Sequence, residues 1–486
     1  MKSLTIICAS FRGLFGTRGV ACILGLVIVS ASSLFFISCG KKQIVPEVPE
    51  LPAPDESDKN QDESGEVESP TGDFILVGEG KGTLIIDGNT KKYTCNTHIR
   101  IKEGSYSNIT IRNLTGKSGC PFVITNEGTV RFDGSGRTLF LEDLSYVEIL
   151  GNSNSSLKYG FVFQNSRNEA IKISGAINHF TLSNARFDGI NAYGVISYKP
   201  TLVYNGSEDS FLKDLHFLNL ESEGSGTLIR FESQEGNRNI IGLIRGIEIA
   251  GVHFSKSPQV GSVIVLGKAE DVDLHNNLIE DINSSSSNHN GVFYIQGNGK
   301  FYNNIVRNHQ GNAIRAWIFS IGNTPKEMLI YNNIVINSRE YGAFELQAFD
   351  RDIIPGISTF ANAKVFNNTC GDLKPKGGSF PAQIVDLYGL FGGECEIFNN
   401  IGYSFYRVGQ NNTNYFWNQL GNTSPSKHSH NVYFDNYQQA GIVINDAKLL
   451  LSDGSPLKHA AEPFYLLTED IYGNKRGSKP SIGAIE

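Results

Sequence analysis

The sequence predicts an all-β chain wound into a parallel β-helix, and three observations carry that expectation. One phrase recurs five times with its apolar letters in register: Asp273-Leu-His-Asn-Asn-Leu-Ile, Phe301-Tyr-Asn-Asn-Ile-Val, Ile330-Tyr-Asn-Asn-Ile-Val, Val365-Phe-Asn-Asn-Thr-Cys and Ile397-Phe-Asn-Asn-Ile-Gly. The first Asn of each pair stands at 276, 303, 332, 367 and 399, at intervals of 27, 29, 35 and 32 residues, the range of a stacked repeat. Each copy is two alternating apolar runs joined by Asn-Asn, with a third run after a Gly- or Asn-containing turn, and alternation at period two reads as strand. Asn and Gly at fixed offsets are also the residues that accept left-handed backbone. Three short strands cannot bury their own apolar face, so each unit must stack on the next. Stacking would set each recurring Asn above its copy, where one side-chain amide can bond the next in a ladder.

The chain opens with Lys2, Arg12 and Arg18 ahead of an apolar run from Val20 to Ile37, closing on Phe36-Ile-Ser-Cys39. Basic, then apolar, then small residues describe a signal peptide over 1–38. The Cys at its end resembles the lipobox of bacterial lipoproteins. That resemblance implies that Cys39 is acylated and that the protein is exported and lipid-anchored, with the outer membrane the expected one and its face open. Residues 39–72 carry Pro46, Pro49, Pro52 and Pro54, then Asp55, Glu56, Asp58, Asp62, Glu63, Glu66 and Glu68. Such a segment has too little apolar area to offset its ordering entropy, so it reads as an extended tether. Much of the formal charge of -7 lies here, and nothing basic enough for nucleic acid remains.

Residues 73–431 are expected to form the β-helix. Ile99-Arg-Ile-Lys-Glu-Gly-Ser-Tyr, Ile109-Thr-Ile-Arg-Asn-Leu and Phe122-Val-Ile-Thr-Asn alternate and end on Gly or Asn, and weaker copies follow at Leu139, Val147, Ile171, Phe180, Phe217 and Ile247. Roughly 12 to 14 coils at ~4.8 Å each would give a rod on the order of 60 Å long. Its open edges need covers, and 432–486 is the expected C-terminal one. Cys95 and Cys120 are 25 residues apart, as are Cys370 and Cys395. If that interval is one coil, each pair lies about 5 Å apart, within disulfide reach, and export permits oxidation. Four free or differently paired thiols are the alternative.

The coil phrases, with Gly82-Thr-Leu-Ile-Ile-Asp-Gly and Pro121-Phe-Val-Ile-Thr-Asn, resemble the right-handed parallel β-helix proteins of the pectate-lyase-like superfamily. The end, Asp470-Ile-Tyr-Gly-Asn-Lys-Arg-Gly-Ser-Lys-Pro-Ser-Ile-Gly-Ala-Ile-Glu486, resembles a closing segment of secreted bacterial members, with Ser481 where Asp is usual and Ile485 where Phe is usual. The resemblance implies the fold; its members include polysaccharide lyases, glycoside hydrolases and non-enzymatic surface proteins. The Asn-Thr-Asp, Asp-Asp and Gly-His-Gly strings that polygalacturonase-type hydrolases share are absent, as is the Arg-x-Pro-x-x-Arg segment of pectate lyases.

The strand that follows the repeated unit locates the chemistry. Leu228-Ile-Arg-Phe-Glu, Val292-Phe-Tyr-Ile-Gln, Ala313-Ile-Arg-Ala-Trp, Ala343-Phe-Glu-Leu-Gln and Ile384-Val-Asp-Leu-Tyr align with apolar second and fourth letters, which should face the core. The third and fifth letters then face out, in columns Arg230, Tyr294, Arg315, Glu345, Asp386 and Glu232, Gln296, Trp317, Gln347, Tyr388. Aromatic faces stack on sugar rings, and Arg, Gln and carboxylates bond hydroxyls or uronate groups directionally. A plain cross-strand ion pair between Arg315 and Glu345 is the simpler alternative. For β-elimination beside a uronate, Arg315 would neutralise the carboxylate, and Tyr294 or His309 would take the proton. For hydrolysis, Glu345 would pair with Asp386 or Asp350. His289, like His309, reads as a turn residue, and such residues are more often solvated than catalytic. No resident cofactor is expected, with Ca²⁺ at Asp271 and Asp273 the alternative. The reading is thus an exported polysaccharide-binding protein, a lyase or glycosidase if an enzyme, and monomeric; a non-catalytic surface binding module is the alternative.

Overall fold

The computed structural model describes residues 73–153, 155–236, 239–286, 289–322, 324–348, 360–374, 382–390, 392–406, 414–418 and 424–486. The expected signal segment, the tether with Cys39, and Asp350 lie outside the described residues.

Parallel strands wind into a β-helix with three walls. In the first, Leu84, Ile109, Leu139, Ile171, Ile196, Ile229, Ile264, Phe293, Ile314, Phe344 and Val385 stack in register. The second stacks Ile75, Ile99, Ile124, Ile149, Leu182, Phe217, Ile249, Leu274, Phe301, Ile330, Val365, Ile397 and His428, thirteen rungs. The third includes Phe132, Phe163 and Phe187, whose rings stack at 4.5 and 5.1 Å between centroids, close to the spacing of the strands that carry them. Each of these buried rings contributes about 2–3 kcal/mol.

The repeated Asn-Asn is the corner between the second and third walls, and its two letters do different work. Asn276, Asn303, Asn332, Asn367 and Asn399 all have φ between 50° and 56°, the left-handed conformation that turns the chain in one residue. The second letters form the ladder: Asn277, Asn304, Asn333, Asn368, Asn400 and Asn431 pass amide-to-carbonyl bonds of 2.9–3.1 Å along the axis. Each amide also donates to a strand carbonyl one coil earlier, for example Asn333 to Phe301 at 2.9 Å. A second left-handed position recurs along the third wall at Lys256, Asp281, Asn308, Asn337, Asp372 and Ser404. It breaks the alternation, so that the next residue in each coil, including Ile282, His309, Ser338 and Leu373, is buried.

Cys95 and Cys120 form a disulfide with Cα atoms 5.2 Å apart. Cys370 and Cys395 do not pair: both are free and buried. Their interval is not one coil, because Cys370 belongs to the third wall, between Val335 and Gly402, whereas Cys395 belongs to the second, beside Ala363.

The C-terminal segment docks on the flank of the β-helix. It runs back along the Asn corner, where Asn332, Asn367 and Asn399 donate side-chain hydrogens to the carbonyls of Glu469, Ser481 and Glu462. Phe464 packs edge-on against Phe366 and Phe398. The closing motif is a lock: Arg476, its side chain 1% exposed, donates to the carbonyls of Ser481 and Gly483, to Asn332 Oδ1 and to Glu486.

Candidate functional site

On the first wall the third letters face outward in register, as the alternation requires. One rung was hidden, however: Val265 stands between Arg230 and Tyr294, because the strand Ile264–His275 contributes a coil of its own. Its corner residue is Gly251 rather than Asn, with φ 65°, so no Asn pair announced it. Arg230 therefore lies two rungs from Tyr294. Its guanidinium lies 3.6 Å from the centre of the exposed Tyr193 ring, and its Nε donates to Glu232 at 2.7 Å. An open cleft of ≈ 390 Å³ adjoins it, lined in part by Gln259, Ser262, Val265 and Asn290.

The neighbouring rungs hold the aromatic shelf. Tyr294 meets Trp317 edge to face at 5.4 Å, and Gln296 donates to the Tyr294 hydroxyl at 2.9 Å. The Lys268 ammonium bonds Gln296 in turn. Gln347 is in register with Trp317 and half-buried. Tyr388 is exposed, and burial of its hydroxyl, with Asp386 and Glu345 nearby, raises its pKa.

The charged rungs do not lie open. Arg315, its side chain 24% exposed, donates from Nε to Glu345 at 2.7 Å and from Nη1 to the His289 carbonyl at 3.0 Å. Glu345 is wholly buried, and His289 Nε2 lies 3.1 Å from its second oxygen. The same nitrogen lies 3.0 Å from Asn312 Oδ1, and the imidazole stacks on Tyr341 at 4.0 Å. Asn312 Nδ2 donates to Asp386 at 2.8 Å and to the Gly342 carbonyl at 3.0 Å, and the Gly342 amide donates to Asp386 at 3.3 Å. Burial lowers the affinity of His289 for a proton, but the Glu345 carboxylate outweighs it, and its pKa is raised. Asp386 is buried and pushed up to about 6, by desolvation first and by Glu345 after the opposing hydrogen bond from Asn312.

Two expectations for the chemistry change. His309 is fully buried in the interior, where desolvation lowers its pKa to about 3, so it is a neutral core side chain and not a base on the outer face. Glu345, held by both Arg315 and His289, is closed to a glycosidic bond, which weakens its pairing with Asp386 for hydrolysis. Conversely, His289 is part of the site. The sequence placed it in a turn and held nothing that linked it to a carboxylate 56 residues later.

Among the described residues no group of three or more His, Cys, Asp or Glu is placed to hold a metal ion. Asp271 lies 2.7 Å from Lys326, and Asp273 3.8 Å from Lys300, so each already faces a cation.

The pairings define an all-β parallel β-helix protein whose first wall carries polar and aromatic side chains on its outer face. No protein-family model matches the sequence, and no curated protein matches it. Among solved structures the chain is similar to the pectate lyase Pel9A, at 14% identity over 84% of this chain and 97% of that one, with a TM-score of 0.38. It is similar also to a PL6-family polysaccharide lyase from Pseudopedobacter saltans, at 11% identity over 73% and 93%, TM-score 0.40. A third is an alginate lyase from Paenibacillus sp., at 13% identity over 72% and 99%, TM-score 0.29.

Proposed function

We propose that the outer face of the first wall, from Arg230 to Tyr388, binds an acidic polysaccharide and cleaves it by β-elimination beside a uronate. The observation that carries this reading is Arg315: a guanidinium fixed by two acceptors, partly exposed, with its centre 5.6 Å from that of the Trp317 ring. A pre-oriented cation next to an aromatic surface is what a sugar carboxylate needs, because neutralising that carboxylate makes the adjacent C–H acidic. Tyr294, on the neighbouring rung, is in reach of the same ring and can return a proton to the departing oxygen. In this reading the chain is exported and anchored through an acylated Cys39, the proposal its N-terminal residues support.

A second reading, a binding module without chemistry, draws on the same pair: Glu345 already neutralises much of the Arg315 charge. A panel of acidic polysaccharides separates the two. Lyase action produces ultraviolet absorbance from unsaturated uronate ends, and Arg315→Ala abolishes it. Unchanged polymer length on every substrate, with binding that Arg315→Ala weakens, would leave the binding module.

A further inference from the structure

We propose that His289 is the base that removes the proton in this elimination, with its free nitrogen selected by a chain of hydrogen bonds running back through Asn312 to Asp386. This inference rests on the lyase reading above. Asn312 Nδ2 points at two acceptors, Asp386 Oδ2 and the Gly342 carbonyl, so the amide has only one orientation that satisfies it, with Oδ1 toward His289. The imidazole Nε2 then faces two acceptors, Asn312 Oδ1 at 3.0 Å and Glu345 Oε2 at 3.1 Å. Neither can donate to it, so Nε2 must carry the hydrogen. In the neutral ring that leaves the lone pair on Nδ1, which takes no part in this network. An amide oxygen accepting from Nε2, with a buried carboxylate 3.1 Å behind it, keeps that nitrogen protonated and the other basic, as a general base requires.

Position agrees with role. The His289 carbonyl accepts from Arg315 Nη1 at 3.0 Å, so the residue that carries the base also anchors the cation meant for the substrate carboxylate. The imidazole is partly open, its side chain 27% exposed, whereas Glu345 behind it is sealed. The groups facing the ring are Glu345, Asn312, Arg315 and Tyr341, with Asp386 behind Asn312. In the step itself, Nδ1 takes the proton from the carbon α to the carboxylate, and that electron pair forms the new C=C bond. The C–O bond on the β carbon breaks, and the departing oxygen takes a proton from Tyr294 or water. No oxidant or reductant is involved. His289 is the catalytic residue here, and Glu345 and Asn312 are positioning residues.

The test is the pH profile of kcat/KM on whichever acidic polysaccharide yields unsaturated ends. The wild type should show an ascending limb as His289 loses its proton. His289→Ala should lower kcat/KM by about 10²- to 10⁴-fold, abolish the limb, and recover activity with added imidazole. Glu345→Gln removes the charge that raises the histidine's pKa, so its limb should move to lower pH. Circular dichroism and thermal unfolding confirm that each variant is folded. An active His289→Ala that keeps the limb overturns the assignment of the base while leaving the lyase reading intact. A folded wild type that makes no unsaturated ends from any uronate polymer overturns both.

Discussion

Asp386 meets two opposing demands: burial favours its neutral form, while Asn312 and the Gly342 amide bond its charged form. Burial prevails, and the folded-state value near 6 lies above the ordinary 3.8. The native state thus holds this proton more tightly than the unfolded chain does. Its contribution to stability is complete below about pH 3.8 and declines as pH rises through about 6, by up to ~3 kcal/mol. The raised pKa of His289 acts in the same direction. Asp386→Asn should therefore reduce the fall in unfolding free energy between about pH 4 and pH 8 by ~1–3 kcal/mol, as denaturant titrations at the two pH values would measure; an unchanged fall would contradict the assignment. The outward register of Arg315, Glu345 and Asp386 was legible in the sequence, because alternation alone decides it. The burial of Glu345 and Asp386 was not, since it depends on His289, Asn312 and Gly342 approaching them from other positions in the chain. His309 was misread for a related reason. The left-handed Asn308 reverses the side-chain direction, and a count by twos cannot detect that reversal.

The Asn ladder is the element on which the later coils are aligned. Each rung satisfies groups on three coils; Asn333 alone donates to Asn368 and to the Phe301 carbonyl and accepts from the Asn304 amide. Asn333→Ala strands several of these in the interior, and unmade buried bonds are costly, so a loss of about 2–4 kcal/mol is expected. Urea unfolding would measure it, and a loss within ~0.5 kcal/mol, as for an ordinary surface change, would contradict the ladder's role. The recurring pair was plain in the sequence, and so was the wall that follows it. The division of labour within the pair was not, because both letters are Asn. The coil through Val265 escaped because its corner is Gly251, which makes the same left-handed turn without an amide.

At the scale of the whole molecule, the C-terminal segment ties distant coils together along one flank. Arg476 links the end of the chain to Asn332, 144 residues earlier. Arg476→Ala removes the cation beside the half-buried Glu486 carboxylate and the donor to the Ser481 and Gly483 carbonyls, and a loss of about 2–4 kcal/mol is expected, seen as a lower Tm and faster hydrogen exchange at the Asn corner. A Tm unchanged from wild type would mean that the segment is merely laid on the surface. The closing segment stood out in the sequence only through its resemblance to other chains, and its docking line did not, since nothing local specifies which coils it crosses. Sugar rings bound on the first wall beside Arg315, as proposed, would stack on Trp317. The rate at which Trp317→Ala releases unsaturated ends from a uronate polymer, compared with the wild type, is expected to fall about tenfold or more through lost stacking, with the fold intact. A rate equal to the wild type's would contradict the placement of the substrate on this face.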